Sequence, residues 1–281
     1  MALFLKLSGP LGAAAPPFAV IVLAAALWCP STASAQVALG AAQTFGVLAG
    51  SAVTNTGLTT VTGDVGVSPG FAIVGFPPGV VTGAIQAGSP QAALAQSDVT
   101  TAYNAAAALP CGTPIVGDLA GQTLSPGVYC AATSALLTGT LTLDYQGNPN
   151  AVFVFQTGST LTAGAGSSVV AINTGANACR SNVNWQVGSS ATLGSGASFA
   201  GNILAQTSVT LNTGAQLAGR ALARNGAVTL DSNTITICSV APASEAAASI
   251  PALSEWALML LSSVMAIGGW ALIGRHRAHV G

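Results

Sequence analysis

Between Ser190 and Thr236 the apolar and polar positions alternate in three short segments. Each carries a Thr-Leu pair, Thr192-Leu193, Thr210-Leu211 and Thr229-Leu230, with Gly, Asn or Asp following. The pairs are 18 and 19 residues apart. A strand rises about 3.3 Å per residue, so a repeat of this length runs once around a triangular coil with sides of roughly 20 Å and returns one strand spacing higher. The pattern predicts a β-solenoid in which each Leu points inward and each Thr outward, the threonines forming a file with rungs about 4.8 Å apart. Extending the Thr-Leu unit backward adds Thr160, beside Leu161, so the expected outward file is Thr160, Thr192, Thr210 and Thr229, widened by Ser190 and Ser208. Thr160 lies 32 residues before Thr192, which implies an insertion in that coil.

One stretch departs from strand periodicity. From Pro90 to Leu109 the chain is Ala-rich, Ser89 can serve as N-cap with Pro90 at the first helical position, and Pro110 follows. This predicts one helix over about 90–109 with Leu94, Val99, Ala102, Tyr103 and Ala106 on one face. An isolated helix of this length is marginal in water, so it is expected to lie against an outer face of the solenoid.

Long apolar runs without charge lie at the two ends. Lys6, the apolar stretch Leu11 to Leu27 and Ala33-Ser34-Ala35 read as a secretory signal over 1–35, removed by signal peptidase to leave Gln36 first. Cys29 suggests a lipidation site, but Trp28 and Pro30 on either side do not suit one. At the other end, the uncharged run Trp256 to Ile273 is just long enough to span a bilayer as a helix and is followed by Arg275-His276-Arg277, which is expected to remain cytoplasmic. Ile250-Pro251-Ala252-Leu253-Ser254-Glu255-Trp256 precedes it. This tail over 250–281 resembles the IPTL-CTERM sorting signals of Gram-negative bacteria, with Ala252 where the motif name has Thr. The resemblance implies an exosortase-type membrane enzyme as partner, and the simpler alternative is a permanent anchor. Residues 36–240 then form one domain, joined to the tail by a linker over 241–249.

Charge narrows the chemistry of that exported region. Only 5% of the whole chain is charged although 51% is hydrophobic, and between Gln36 and Ser249 three arginines face five aspartates and Glu245, a net of −3 that offers no basic patch to nucleic acid. Both histidines, His276 and His279, are in the tail, and the single lysine is Lys6. Nucleophilic catalysis by Ser or Cys usually needs a His or Lys base, and zinc or copper sites usually need imidazole, so the region is expected to be neither an enzyme of that kind nor a metalloprotein and to need no cofactor. Paired aspartates acting on a glycosidic bond are the remaining catalytic option. The five Asp, however, stand singly, four of them beside Gly or Ser, in the sequence context of turns.

Cys111, Cys130, Cys179 and Cys238 remain after the leader. An even number in an exported chain argues for disulfides. Four cysteines allow three pairings, and the favoured expectation joins Cys111 to Cys130 and Cys179 to Cys238.

Several motifs in order now resemble one family. They are Leu39-Gly40-Ala41-Ala42 with Phe45 to Gly50, Thr62 to Gly70, Pro126-Gly127-Val128-Tyr129, Gly147 to Phe153, Trp185 to Ala191 and Gly219 to Ala223. Over residues 37–238 the chain resembles the DUF3494 ice-binding proteins. The resemblance implies an all-β dominated, discontinuous three-faced β-solenoid with one long α-helix packed alongside and a cap near the N-terminus. It also implies adsorption to an ice crystal surface through one flat face and its adjoining loops, giving antifreeze or recrystallisation-inhibiting activity. Some members carry a T-A/G-x-T/N loop motif, which Thr157-Gly158-Ser159-Thr160 and Thr174-Gly175-Ala176-Asn177 fit and Thr213-Gly214-Ala215-Gln216 misses at its last position. The competing expectation is a non-enzymatic structural or adhesive domain of the cell envelope.

Overall fold

The computed structural model describes residues 37–175 and 182–237. Its strands wind in parallel around a triangular prism whose three walls run the length of the domain. The alternation of the sequence explains the walls: on each strand every second side chain enters a shared core, and Leu193, Leu211 and Leu230 are all buried as the Thr-Leu repeat requires. Two walls belong to one 15-stranded sheet and the third is a separate 7-stranded sheet.

The coils do not stack in chain order. Phe45–Ala49, Ala52–Thr56 and Thr60–Thr62 form one rung, Asp64–Val67, Ala72–Val74 and Val80–Val81 the next, and Ile85–Ala87 an incomplete last one. The helix Pro90–Ala108 then carries the chain back along the prism to Thr113–Pro114, at the opposite end. From there successive coils advance toward the first rung until Gln216–Ala223 pairs with Phe45–Ala49, and Val228–Asp231 with Ala52–Thr56. The helix is therefore the return stroke of a solenoid begun in its middle. Its 19 residues cover about 28 Å, or six rungs of about 4.8 Å.

Local chemistry fixes this helix as expected, with one correction. The Ser89 hydroxyl accepts from the Ala92 amide at 3.0 Å, Pro90 opens the first turn, and the helix stops before Pro110. Ala92, Ala95, Val99, Ala102, Tyr103 and Ala106 are buried against Leu48, Val154, Leu204 and Leu222 of one wall. Leu94, expected on that face, is exposed. Alanines take its place because a helix lying directly on a sheet needs small side chains at closest approach. Polar contacts set its position along the wall: Gln96 donates to the Ala223 carbonyl at 2.8 Å, and the Arg224 guanidinium lies 4.5 Å from the centre of the Tyr103 ring.

The two eight-residue strands Ser198–Ala205 and Gln216–Ala223 pass from one wall to the next without a loop. They turn the corner at the paired Gly201 and Gly219, whose φ values are +111° and +155°. A Cβ on Gly219 would come within 1.9 Å of the Gly201 carbonyl oxygen, so only glycine fits.

Arg220, just past this corner, is almost fully buried, yet its guanidinium donates to Asn202 Oδ1 at 3.0 Å and to the Gln43 carbonyl at 2.6 Å. It clips the N-terminal 3-10 turn Gly40–Thr44 to the wall, and burial pushes its pKa down to about 10.

Cys111 and Cys130 are bonded, tying the end of the helix to the first full coil. The second expected pair, Cys179 with Cys238, lies outside the described residues, as do the expected leader, linker and tail. The bridge spans 19 residues, for which the chain-entropy account gives about 3 kcal/mol. Reducing it, or replacing Cys111 with Ser, is expected to lower the thermal midpoint by roughly 6–12 °C in a domain of this size. Differential scanning calorimetry with and without reductant measures the shift, and unchanged midpoints would show that the bridge adds nothing.

Candidate functional site

The three walls differ in what they offer solvent. One lies beneath the helix. A second mixes Thr140, Ser168, Ser198, Gln216, Thr234 and Thr60 along one outward file, with Val170 and Ile172 also exposed, so side-chain length varies from rung to rung. The third is the 7-stranded sheet, and its central outward file is nearly of one residue type. Reading across the rungs, Leu136, Thr162, Thr192, Thr210, Thr229, Thr54 and Val74 are register partners. Five consecutive threonines therefore stand in line over about 19 Å, framed by an apolar residue at each end.

Their positions follow from inward anchors. Leu193, Leu211 and Leu230 on one side and Ala191, Val209 and Val228 on the other are buried in the core, holding each intervening Thr outward. The hydroxyls of all five make no hydrogen bond to the described protein atoms, so each hydroxyl and methyl is left to solvent.

The expected file is corrected at its first member. Thr160 does not align with Thr192; Leu161 is level with Ala191, which puts Thr162 in the file. Thr160 falls in the neighbouring row with Ser134, Ser190 and Ser208. That row is partly committed to the fold: Thr160 donates to the Ser134 hydroxyl at 2.9 Å, while the Ser190 and Ser208 hydroxyls each accept a backbone N–H from the next rung at 3.3 Å. Thr157, first residue of the Thr157-Gly158-Ser159-Thr160 motif, is buried and cannot reach a surface. Thr54 and Thr162 are absent from the expected file. Alternation in Leu161-Thr162-Ala163 does mark Thr162 as outward, whereas Thr54 becomes a neighbour of Thr229 only through the return stroke.

Charge stays off the central file. Asp231 stands at its margin, level with Thr56, and its carboxylate accepts from the Thr213 hydroxyl. Asp118 lies at the far end, where a hydrogen bond from the Thr138 hydroxyl holds its carboxyl below the usual range. Among the described residues no three His, Cys, Asp or Glu side chains gather as metal ligands would.

A family model described as "Ice-binding-like" matches residues 47–236, and one described as "IPTL-CTERM motif" matches 248–278. The chain belongs to the ice-binding-like family. An ice-binding protein of Nostoc sp. is 50% identical over 200 residues, covering 70% of this chain and 73% of its own. Among solved structures, an ice-binding protein from an Antarctic biological consortium superposes with a TM-score of 0.69 at 46% identity, covering 72% of this chain and 91% of that one. Another, from the Antarctic ascomycete Antarctomyces psychrotrophicus, gives 0.68 at 40% identity, with coverages of 72% and 98%. These neighbours support the solenoid-plus-helix architecture at identities where fold is shared.

Proposed function

We propose that the domain adsorbs to ice, without catalysis, through the threonine wall. Thr54, Thr162, Thr192, Thr210 and Thr229 are its centre and Thr160, Ser190 and Ser208 its flank. The observation that carries this reading is the register of five threonines along one uncharged file, their hydroxyls unused by the described protein atoms. A stiff array presenting hydroxyl and methyl groups at a fixed repeat orders water along it, while a charged group would hold water in its own geometry. Family membership adds weight, since the relatives above are themselves called ice-binding proteins.

Fluorescently labelled protein is expected to be taken up into a growing ice hemisphere at micromolar concentration, and exclusion of the label would leave the structural or adhesive role instead. No central-file residue titrates, so uptake is expected to be flat between about pH 5 and pH 9. The sign of the Asp118 shift agrees with this. A carboxyl with a lowered folded pKa contributes its stability above the ordinary carboxylate range and loses it only as the pH falls through the folded value. A drop in uptake across the neutral range would place a titrating group at the contact.

For the ends of the chain, the reading is export by a leader over 1–35, then handling by an exosortase-type enzyme at the 250–281 tail. The 256–273 run holds the chain in the bilayer, transiently or permanently, and the domain stands in the cell envelope or outside it. The motif match over 248–278 supports the sorting step. Among the described residues no helix is long and apolar enough to cross a membrane, and the 256–273 run lies outside them.

A further inference from the structure

The two ends of the prism differ. At the end built from Ala72–Val74, Val80–Val81 and Ile85–Ala87, each strand pairs on one side only among the described residues, leaving three open edges there. Around them Leu58, Phe71, Val74, Val80 and Ile85 are exposed, Phe71 at 74% and Leu58 at 79%, with the exposed Pro77 and Pro78 between. No charged residue occurs from Val65 to Ser97. The opposite end carries Asp118, Asp144 and the exposed Val116. Half of the large exposed apolar side chains of the described domain thus gather at this end, where the Asp64 carboxylate accepts from the Ala84 amide at 2.8 Å.

The last described residues also lie near that end. Thr234–Thr236 pairs with Thr60–Thr62, which pairs with Val80–Val81 of the last complete rung, and Ile237 packs by Gly63. From Cys238 to Glu255 there are 18 residues before the apolar run begins at Trp256. Even fully extended, 18 residues reach no more than about 60 Å, which keeps the domain near whatever holds that run.

Resting on the reading of 256–273 as a bilayer anchor, we infer that this apolar end is a membrane-docking surface whose partner is the lipid headgroup region. Phe71, Leu58, Val80 and Ile85 enter the acyl boundary. The open strand edges stay at headgroup level, where water can satisfy their N–H and C=O groups, because hydrocarbon could not. Lacking both Lys and Arg, and with Asp64 beside its last rung, this end binds by apolar contact and gains nothing from anionic lipid. The threonine file runs along the prism, from Val74 at this end to Leu136 at the other, so docking stands the ice-facing wall upright from the membrane.

The test uses the full chain in phosphatidylcholine vesicles with and without lipids brominated near the headgroup. Two variants are compared, Phe71→Trp and Val116→Trp, each read as the tryptophan emission added over the parent chain. Bromolipid is expected to remove about half of the Phe71→Trp increment and leave the Val116→Trp increment intact, since interfacial side chains sit within reach of shallow bromines. Equal responses at the two ends in a chain that floats with the vesicles overturn the proposal alone. An increment that is blue-shifted by raising protein concentration in detergent, and insensitive to bromolipid, assigns the surface to a second copy of the chain and also overturns it. A chain that fails to float with vesicles overturns the anchor reading and this proposal with it.

Discussion

Thr210→Tyr is expected to reduce thermal hysteresis about tenfold, the loss of roughly 1.4 kcal/mol in adsorption that truncating or obstructing a central contact produces. Thr210 is the middle position of the file, with Leu136, Thr162 and Thr192 on one side and Thr229, Thr54 and Val74 on the other. A tyrosine there raises a ring above a plane of methyl and hydroxyl groups and holds the surfaces apart on both sides of it. Stability should change by no more than about 0.5 kcal/mol, because the side chain points to solvent and bonds to no described protein atom. The matched control is Thr234→Tyr on the mixed wall, which faces solvent from an equivalent rung and is expected to keep activity. If the two variants behave the other way round, ice contact belongs to the mixed wall, while adsorption by the domain as a whole would stand.

How far the sequence reveals this site depends on which neighbours are sequential. Thr192, Thr210 and Thr229 lie on consecutive coils, so the 18- and 19-residue spacing alone aligns them, as the register bears out. Thr160 fails for a specific reason. Matching the Thr-Leu dipeptide offsets that strand by two residues, and a two-residue shift preserves the outward direction while moving the side chain one row along. The error therefore leaves Thr160 on the correct wall but in the flanking row. Thr54 is invisible to any periodic argument, since its rung is laid down before the helix and joins Val228–Asp231 only when the coil returns. The helix itself was legible from Ser89, Pro90 and Pro110, because capping is a local property. Its alanine face was less so, because closest approach to a sheet is a tertiary demand.

The largest loss of stability is expected at a residue that never meets solvent. Trp185 is fully buried on Val183–Val187, the same coil that presents Thr192. Its ring stacks on Phe155 of the preceding coil, with centroids 3.8 Å apart and planes 10° from parallel, and meets Phe199 at 4.8 Å. Phe155 stacks in turn on Tyr129 at 5.4 Å, so a column of rings runs through the prism across three coils. The indole N–H donates to the Ala200 carbonyl at 3.0 Å, just before the Gly201 corner, so the ring also holds the strand where it changes walls. Trp185→Ala removes the ring and leaves both a cavity and an unpaired buried carbonyl, for an expected cost of about 3–5 kcal/mol. That is a large part of the roughly 5–15 kcal/mol by which domains are stable. In a chain of this size the thermal midpoint should fall by about 10–15 °C, with loss of near-ultraviolet dichroism from the column. Trp185→Phe keeps a six-membered ring in the stack and loses the smaller ring with its N–H, so its cost should be lower, about 1–2 kcal/mol. A midpoint for Trp185→Ala within a few degrees of the parent would mean that adjacent coils close over the gap. The ring column would then be filler, and the rigidity of the threonine wall would rest on the backbone ladder alone.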